Sequence, residues 1–514
     1  MLPNSLSQTG ASAADFDDLE SQVTSCDRPD KPEEACGVFG VYAPGEDVAK
    51  LAYFGLYALQ HRGQESAGIA TFPKDHPPCL HKEMGLVSQV FNETILNTLV
   101  GELAVGHTRY STTGTSRAVN AQPALVPTRL GHLALAHNGN LVNTPILREE
   151  LLRNHHNLVT STDSELIAFA IAEAVDSGKT WLEAGIHAFN RCQGAFSLVI
   201  GTPDGIIGAR DPNGIRPLVI GALPKANSSD PTRYALASET CGLDIIGAEY
   251  LRDVEPGEMV WITNEGMTSY HWVPQPQPKL CIFEMIYFAR PDSVMQNESL
   301  YTYRMRIGRR LALESPADAD LVIAVPDSGI PAAIGFSQAS GIPYAEGLIK
   351  NRYVGRTFIQ PTQSMREAGI RMKLNPLRDV LQGKRILLVD DSIVRGTTSR
   401  KIVKALRDAG ATEVHMRISS PPVTHPCFYG IDTDSQDHLI AATKSVEEIA
   451  AQIEVDSLSY LSWAGMLEET RDDPANFCSA CFTGQYPVPV PEPLKSAKLL
   501  LEKNFPSLEA IASA

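Results

Sequence analysis

Residues 385–401 read RILLVDDSIVRGTTSRK, and this stretch decides the fold of the second half of the chain. The continuous apolar run Ile386–Val389 is that of a strand buried on both faces, which is the habit of parallel sheets. It ends in two carboxylates, Asp390 and Asp391. A loop of small and hydroxyl residues follows, and then a helix with Ile402, Leu406 and Ala409 on its inner side. In open α/β sheets ligands bind beyond the carboxyl ends of the strands. Backbone N–H groups from Arg395 through Gly396 to Ser399, with the hydroxyls of Thr397 and Thr398, would hold a phosphate monoester at the helix start. The carboxylates are then placed for vicinal sugar hydroxyls and a divalent ion. Phosphate at one end and a diol at the other describe a ribose 5-phosphate. The plainer reading makes the two aspartates turn caps, but adjacent like charges at a buried strand end repel and call for a compensating ligand.

Working outward, DLVIAVPDSGIPAAIGFSQASG at 320–341 repeats the apolar strand followed by a helix ending near glycine, so the second half is α/β with a parallel sheet. The Pro-rich VPQPQPK, 273–279, continues neither helix nor strand and marks a boundary. Before it the rhythm is of short strands with turn punctuation. GELAVGHTRYS and GHLALAHNGNLVN read as strands, and GAFSLVIGTPDGIIGAR places Asp204-Gly205 as the turn of a hairpin. DVAKLAYFGLYALQ has apolar residues at helical spacing. TDSELIAFAIAEAV is a second helix, with Ser161 or Thr162 as cap and Glu165 closing a capping box. The first half is therefore α+β with antiparallel sheets. A helix is expected at LKSAKLLLEKN, after the Pro-rich CFTGQYPVPVPEP.

The 514 residues are enough for two or three domains, and 43% hydrophobic with 20% charged residues is a globular composition. A formal charge of −16 argues against sequence-independent nucleic-acid binding, which needs a basic surface. Residues 1–35 hold eight acidic residues against Arg28 and Lys31, so they carry −6 of the −16 and leave −10 for the rest. They have neither the basic start and apolar centre of a signal peptide nor the Arg-rich, acid-poor character of a transit peptide. They are expected to be a disordered leader, and the protein cytoplasmic. Nine cysteines in so long a chain suggest reduced thiols, metal ligands or a nucleophile rather than a disulfide framework.

Cys36 stands where the leader meets the first apolar run, in KPEEACGVFG. A cut between Ala35 and Cys36 would free an α-amine with an unperturbed pKa of about 7.7–8.0, able to act as base for the thiol of its own residue. Cys478 and Cys481 form a Cys-x-x-Cys, a spacing shared by zinc, iron–sulfur and redox sites.

The segment 385–401 resembles the phosphoribosyl diphosphate (PRPP) signature of the type I phosphoribosyltransferases. That resemblance implies that AVPDSG, 324–329, with Asp327, holds the diphosphate, that its glycine lets backbone approach an anion, and that Ser328 joins Asp390 and Asp391 around Mg²⁺. It also implies a lid at 350–367 carrying Lys350, Arg352 and Arg356. CGVFG, LQHRGQESAGIA, GHTRYSTTG, HNGNLVN and STDSE resemble, in order and approximate spacing, the class II glutamine amidotransferases, which are N-terminal-nucleophile hydrolases with antiparallel sheets sandwiched between helices. What this implies is a Cys36 nucleophile, Arg109 on the glutamine α-carboxylate, Asp163 on its α-ammonium, Asn138 and the Gly139 N–H as oxyanion hole, and Arg62 and His107 lining the pocket.

The two signatures in one chain resemble the glutamine PRPP amidotransferase family. Cys281 and Cys427 stand, with Cys478 and Cys481, in the order of its cluster-bearing branch, which implies one [4Fe–4S] cluster beside one Mg²⁺ per subunit. The family further implies glutamine and PRPP as substrates, 5-phosphoribosylamine as product, purine nucleotides as feedback inhibitors and a homotetramer. The domains expected are a 1–35 leader, a 36–272 amidotransferase, a 273–279 linker, a 280–485 phosphoribosyltransferase and a 486–514 tail. Cys26, Cys79, Cys192 and Cys241 match no motif. Glucosamine-6-phosphate synthase shares the first half only and has no counterpart of ILLVDDSIVRGTTS. A PRPP-binding regulator would have no reason to carry Cys36, Arg109, Asn138 and Asp163, and a redox sensor would need neither pocket.

Overall fold

The structure, a computed structural model, describes residues 36–110, 117–224, 232–351, 374–433 and 435–491. The leader, Cys26, Arg352, Arg356 and the expected C-terminal helix lie outside the described residues.

The first half contains two antiparallel sheets. In chain order its strands are β1 (Gly37–Tyr42), β2 (Ser66–Phe72), β3 (Cys79–Met84), β4 (Leu103–Arg109), β5 (Ala124–Thr128), β6 (Gly131–Leu141), β7 (Gly194–Thr202), β8 (Gly205–Arg210), β9 (Val219–Ala222), β10 (Tyr234–Ala237), β11 (Glu249–Asp253), β12 (Glu258–Thr263) and β13 (Gly266–His271). One sheet runs β11-β9-β10-β1-β4-β2-β3 and the other β13-β12-β8-β7-β6-β5. Val38, Phe72 and Val105 of the first pack against Ala136, Val199 and Val260 of the second. Helix α1 (Val48–Ala58) covers the outer face of the first sheet through Val48, Ala52 and Leu56. Helices α2 (Asp163–Asp176) and α3 (Trp181–Phe189) cover the second through Leu166, Ile171 and Phe189. With both faces covered, β1, β2, β7 and β8 are buried along their whole length, which is why they are mainly apolar on both sides and do not alternate with exposed polar residues. This is the expected sandwich of antiparallel sheets between helices.

Two local expectations are corrected. The closing pair of the β7–β8 hairpin is Thr202 with Gly205, so the turn is Pro203-Asp204, one residue earlier than read. Pro203 presets the turn, while Gly205 is needed in the strand, where a Cβ would meet the Ile262 carbonyl at 2.3 Å. At α2, Thr162 is the cap and accepts from the Glu165 N–H at 3.4 Å, but Glu165 does not close the box. Its carboxylate accepts instead from the N–H groups of Val159 and Thr160, pinning the approach to the helix.

The second half is a parallel sheet of β14 (Leu321–Ala324), β15 (Arg385–Asp390), β16 (Glu413–Ile418) and β17 (Ser457–Tyr460), in that order. Val322, Ala324, Leu387 and Val389 face α4 (Leu300–Glu314) and α5 (Ile330–Ser340). Ile323, Ile386 and Leu388 face α6 (Thr397–Asp408) and α7 (Val446–Ile453). Alternate residues of each strand thus serve opposite faces and both faces are apolar, as the sequence required. Residues 273–279 carry no helix or strand, and the last of them, Lys279, donates its N–H to the Asn213 carbonyl of the first half. Among the described residues no helix is long and apolar enough to cross a membrane.

Candidate functional site

Cys36 lies immediately before β1, and the β1–β4 ladder sets Gly37 opposite Thr108, which brings Cys36 beside Arg109. The residue is buried, and its thiol donates to the Tyr110 carbonyl at 3.3 Å. Burial pushes the thiol up to about 12; Arg109 and Arg62 pull it down and Glu65 and Asp163 push it up. The thiol is therefore neutral near pH 7 and needs a base.

Arg109 and Asp163 are both buried. Glu65 lies 3.6 Å from the Arg109 guanidinium, a neighbour that the sequence did not single out. Asp163, at the start of α2, accepts from the Leu141 N–H at 3.0 Å and stands 3.5 Å from His137. Burial raises its carboxyl, but His137 and these hydrogen bonds bring it below the ordinary value, so it is an anion. Asn138, on β6, is fully buried, and neither its amide nitrogen nor its amide oxygen finds a partner among the described residues. An amide left so is costly unless a ligand completes it. Strand β5 pairs β6 only from Gly131 to Leu135, which leaves the Asn138–Asn140 edge open on that side.

Two expected pocket residues are placed differently. The Arg62 guanidinium is committed within the protein: Nε donates to the Cys36 carbonyl at 3.2 Å, Nη1 to Glu239 and Glu284, and Nη2 to Glu284 at 2.6 Å. It has no fork to offer a substrate carboxylate and ties down the Cys36 carbonyl instead. His107 lies between the two sheets, donating Nε2–H to the His137 carbonyl at 3.0 Å. Burial lowers its pKa to about 3, which makes it a neutral tie between β4 and β6.

Arg62 belongs to a buried network across the two halves. Glu239 also takes His61 at 2.7 Å, and Glu284 also takes Arg216. Burial disfavours both carboxylates, yet the cations around them hold both below the ordinary carboxylate range. Sequence reasoning missed Glu239 and Glu284. The signal for Glu284 was present: a lone acid inside the apolar run CIFEMIYF must be paired if it is buried.

At the second site Asp390 ends β15 and Asp391 follows it, both about 1% exposed. Asp391 accepts from Ser328 and, at 2.7 Å, from Ser392, while its N–H donates to Asp390 at 2.9 Å. Ser328 comes from the loop after β14, so neighbouring parallel strands deliver the three residues to one carboxyl edge. Gly396, at φ +80°, turns the chain into α6, whose first turn takes no side-chain cap from it. Arg395 and the hydroxyl residues Thr397 and Thr398 flank this start. Asp327 binds Lys350 at 2.6 Å, both exposed. Gly329 packs closely on β15: a Cβ there would stand 2.8 Å from the Val389 carbonyl. Of the expected lid, only Lys350 and Asn351 fall within the described residues.

The four distant cysteines converge. Cys281 and Cys478 are direct partners in a short parallel ladder, Leu280–Cys281 with Phe477–Cys478. The Cys481 carbonyl accepts from the N–H groups of Thr424 and His425, which brings in the segment bearing Cys427. All four thiols line one cavity, together with Phe283, Val423 and Tyr429 among others. The Tyr429 N–H donates to the Cys427 sulfur at 3.4 Å. Burial and the other thiols push Cys478 and Cys481 well above the ordinary thiol value, and burial raises Cys281 to about 11. Cys192 and Cys241 are buried packing thiols, and Cys79 is half-buried.

Comparison with known proteins agrees with both halves. A glutamine amidotransferase domain family matches residues 107–243 and a phosphoribosyl transferase domain family matches 300–419. The amidophosphoribosyltransferase of Synechococcus elongatus is 72% identical over 93% of this chain and 96% of its own length. Amidophosphoribosyltransferase 2, chloroplastic, of Arabidopsis thaliana is 47% identical over 93% of this chain and 82% of its own length. The glutamine PRPP amidotransferase from B. subtilis, solved in complex with ADP and GMP, superposes with a TM-score of 0.82 at 48% identity, covering 89% of this chain and 98% of that one. On these likenesses and the two sites together, the chain belongs to the amidophosphoribosyltransferase family.

Proposed function

We propose that the two sites divide one reaction, the glutamine-dependent conversion of PRPP to 5-phosphoribosylamine, glutamate and diphosphate that opens purine biosynthesis. The observation that carries the first site is the Asn138 amide, buried with both atoms unpartnered among the described residues. Arg109 binds the glutamine α-carboxylate and Asp163 its α-ammonium. The Cys36 sulfur attacks the side-chain amide carbon, and the oxyanion is met by the Asn138 amide and the Gly139 N–H. The carbon–nitrogen bond breaks, ammonia leaves with the thiol proton, and water hydrolyses the thioester to glutamate. A thiol pushed up to about 12 does not ionise unaided. Its hydrogen bond goes to a carbonyl, and the charges that reach it are two arginines and two carboxylates. The base is the α-amine of Cys36 itself, freed by cleavage after Ala35.

At the second site the α6 start, with Arg395, Gly396, Thr397 and Thr398, holds the 5-phosphate, and Asp390 and Asp391 face the ribose diol. Asp327, Lys350 and Arg352 serve the diphosphate side. Ser328, Asp390 and Asp391 would hold Mg²⁺, which would supply charge for the departing diphosphate. The residues position the ring so that ammonia from the first site reaches C1.

The cysteine cavity fits an iron–sulfur cluster. Its donors are four thiols in apolar surroundings, a soft set. Among the described residues no three His, Cys, Asp or Glu side chains are close enough to hold a metal ion as they stand, so the proposal rests on the donor set and the shared cavity. Cys281, Cys427, Cys478 and Cys481 would hold a [4Fe–4S] group, which would supply a cross-link between residue 281 and residues 427–481. Purine nucleotides are the proposed inhibitors, because the B. subtilis relative is described with ADP and GMP, and a homotetramer is the proposed assembly.

The test is Cys36→Ser. Glutamine-dependent synthesis should vanish while synthesis from added NH₃ persists. Loss of both in a folded, processed variant would refute the division.

A further inference from the structure

The oxyanion strand of the first half is completed by a loop of the second. The Asn140 Nδ2 donates to the Phe428 carbonyl at 3.0 Å, across 288 residues of sequence. Two residues on, Gly430 lies against Gly139 so closely that a Cβ would stand 2.9 Å from the Gly139 Cα and 3.0 Å from its carbonyl carbon. Gly430 is at φ +105°, where side chains are rarely tolerated. The contact is not a loose graze, because Val142 and Ala195 of the first half share one apolar cluster with Phe428, Tyr429 and Ile431. Strand β6 is paired at this point only with β7, Asn138 to Ser197 and Gly139 to Phe196, and β5 has already ended. The remaining side of the strand end is held from outside its own domain.

We propose that the loop Phe428–Gly430 is a positioning element for glutamine hydrolysis: it clamps Gly139 and Asn140 and so fixes where the Gly139 N–H and the Asn138 amide point. The inference rests on the oxyanion role given above to Asn138 and Gly139. An oxyanion donor acts on the transition state and not on bound substrate, so the clamp should govern kcat rather than KM. Losing one such donor outright costs about 10²–10³-fold, and misplacing it costs part of that. The same loop begins beside Cys427, whose N–H donates to Thr433, so the cysteine site and the glutamine site share one short segment.

Asn140→Ala decides the matter, because it lies in the first half and removes the tie without touching the loop. Gly430→Ala presses the contact from the other side. For the processed holoenzyme, glutamine hydrolysis should fall about tenfold or more in kcat in Asn140→Ala, with KM for glutamine within twofold. Ammonia-dependent synthesis, iron content and the unfolding temperature should stay near wild type. Gly430→Ala should show the same split. An Asn140→Ala enzyme with wild-type kcat, or one that loses ammonia-dependent synthesis in step, overturns the clamp. Asn138→Ala run alongside separates the two levels: if it leaves glutamine kcat unchanged, the oxyanion assignment fails and the clamp fails with it.

Discussion

Replacing Arg62 by alanine removes the cation shared by Glu239 and Glu284, and the network shows what is left. Glu239 retains His61, which is one-quarter exposed, with hydrogen bonds from the Arg290 N–H and the Ser293 hydroxyl, and Glu284 retains Arg216, so each of two fully buried carboxylates keeps one side-chain ion-pair partner. Removing one partner of a buried pair costs about 3–5 kcal/mol, because the other charge is left without compensation. At about 2–4 °C per kcal/mol for a unit of 150–250 residues, the unfolding transition should drop by roughly 6–20 °C at pH 7.5. The sign of the pH dependence follows from the direction of the shifts. Both carboxyls are held below their ordinary value of 4.5 in the folded protein, so their stabilisation is present above that value and lost as pH falls through the folded one. In the variant these carboxyls accept protons more readily, and the gap to wild type should narrow below about pH 4. Arg62 also holds the Cys36 carbonyl, so glutamine use should fall more than ammonia use. Calorimetry of both proteins from pH 3.5 to 8, with the two activities measured at pH 7.5, checks this. A variant that unfolds at the wild-type temperature at pH 7.5 would show that the pairs contribute nothing and refute the reasoning.

Other outcomes follow from the same geometry. Asn138→Ala should lower the glutamine-dependent kcat about 10²–10³-fold, as loss of an oxyanion donor does, and steady-state kinetics with glutamine and with NH₃ will show whether the loss is confined to glutamine. Asp390→Asn with Asp391→Asn should abolish synthesis from either nitrogen source; diphosphate release at normal PRPP affinity would contradict their role. Glutamine kcat/KM should rise with pH through about 7.7–8.0, where a free α-ammonium loses its proton and becomes the base, and intact mass should place the active chain's first residue at Cys36. An active protein that keeps its leader would remove that base from the account. Anaerobically purified protein should be brown, with iron and sulfide in about a four-to-four ratio per chain, and should bleach in air; a colourless or zinc-bearing protein would contradict the cluster.

How much of this could be read before the fold was seen differs from residue to residue. The strand and helix around Asp390 were legible because both faces of β15 are buried and the sequence there is unbroken apolar until the carboxylates. Cys36, Arg109, Asn138 and Asp163 were legible as motifs in order, and the β1–β4 ladder sets Cys36 beside Arg109. The commitments of the Arg62 guanidinium were not legible, because its partners lie 177 and 222 residues away and no local pattern links them. The hairpin turn was misplaced by one residue because a Pro-Asp-Gly run offers two registers, and only the close approach of Ile262 selects between them. Glu165 had the spacing of a capping box, but the loop before α2 folds back and offers its N–H groups first. The convergence of Cys281 with Cys478 could be expected only from family resemblance, since a parallel ladder between segments 197 residues apart has no signature in either segment.

The central claim is that one chain couples two chemistries, and product stoichiometry tests it most directly. Processed, anaerobically prepared protein given glutamine, PRPP and Mg²⁺, with NH₃ scavenged from the bulk solution, should release glutamate and diphosphate in equal amounts. Glutamate without diphosphate, or diphosphate only when NH₃ is supplied from outside, would contradict the account.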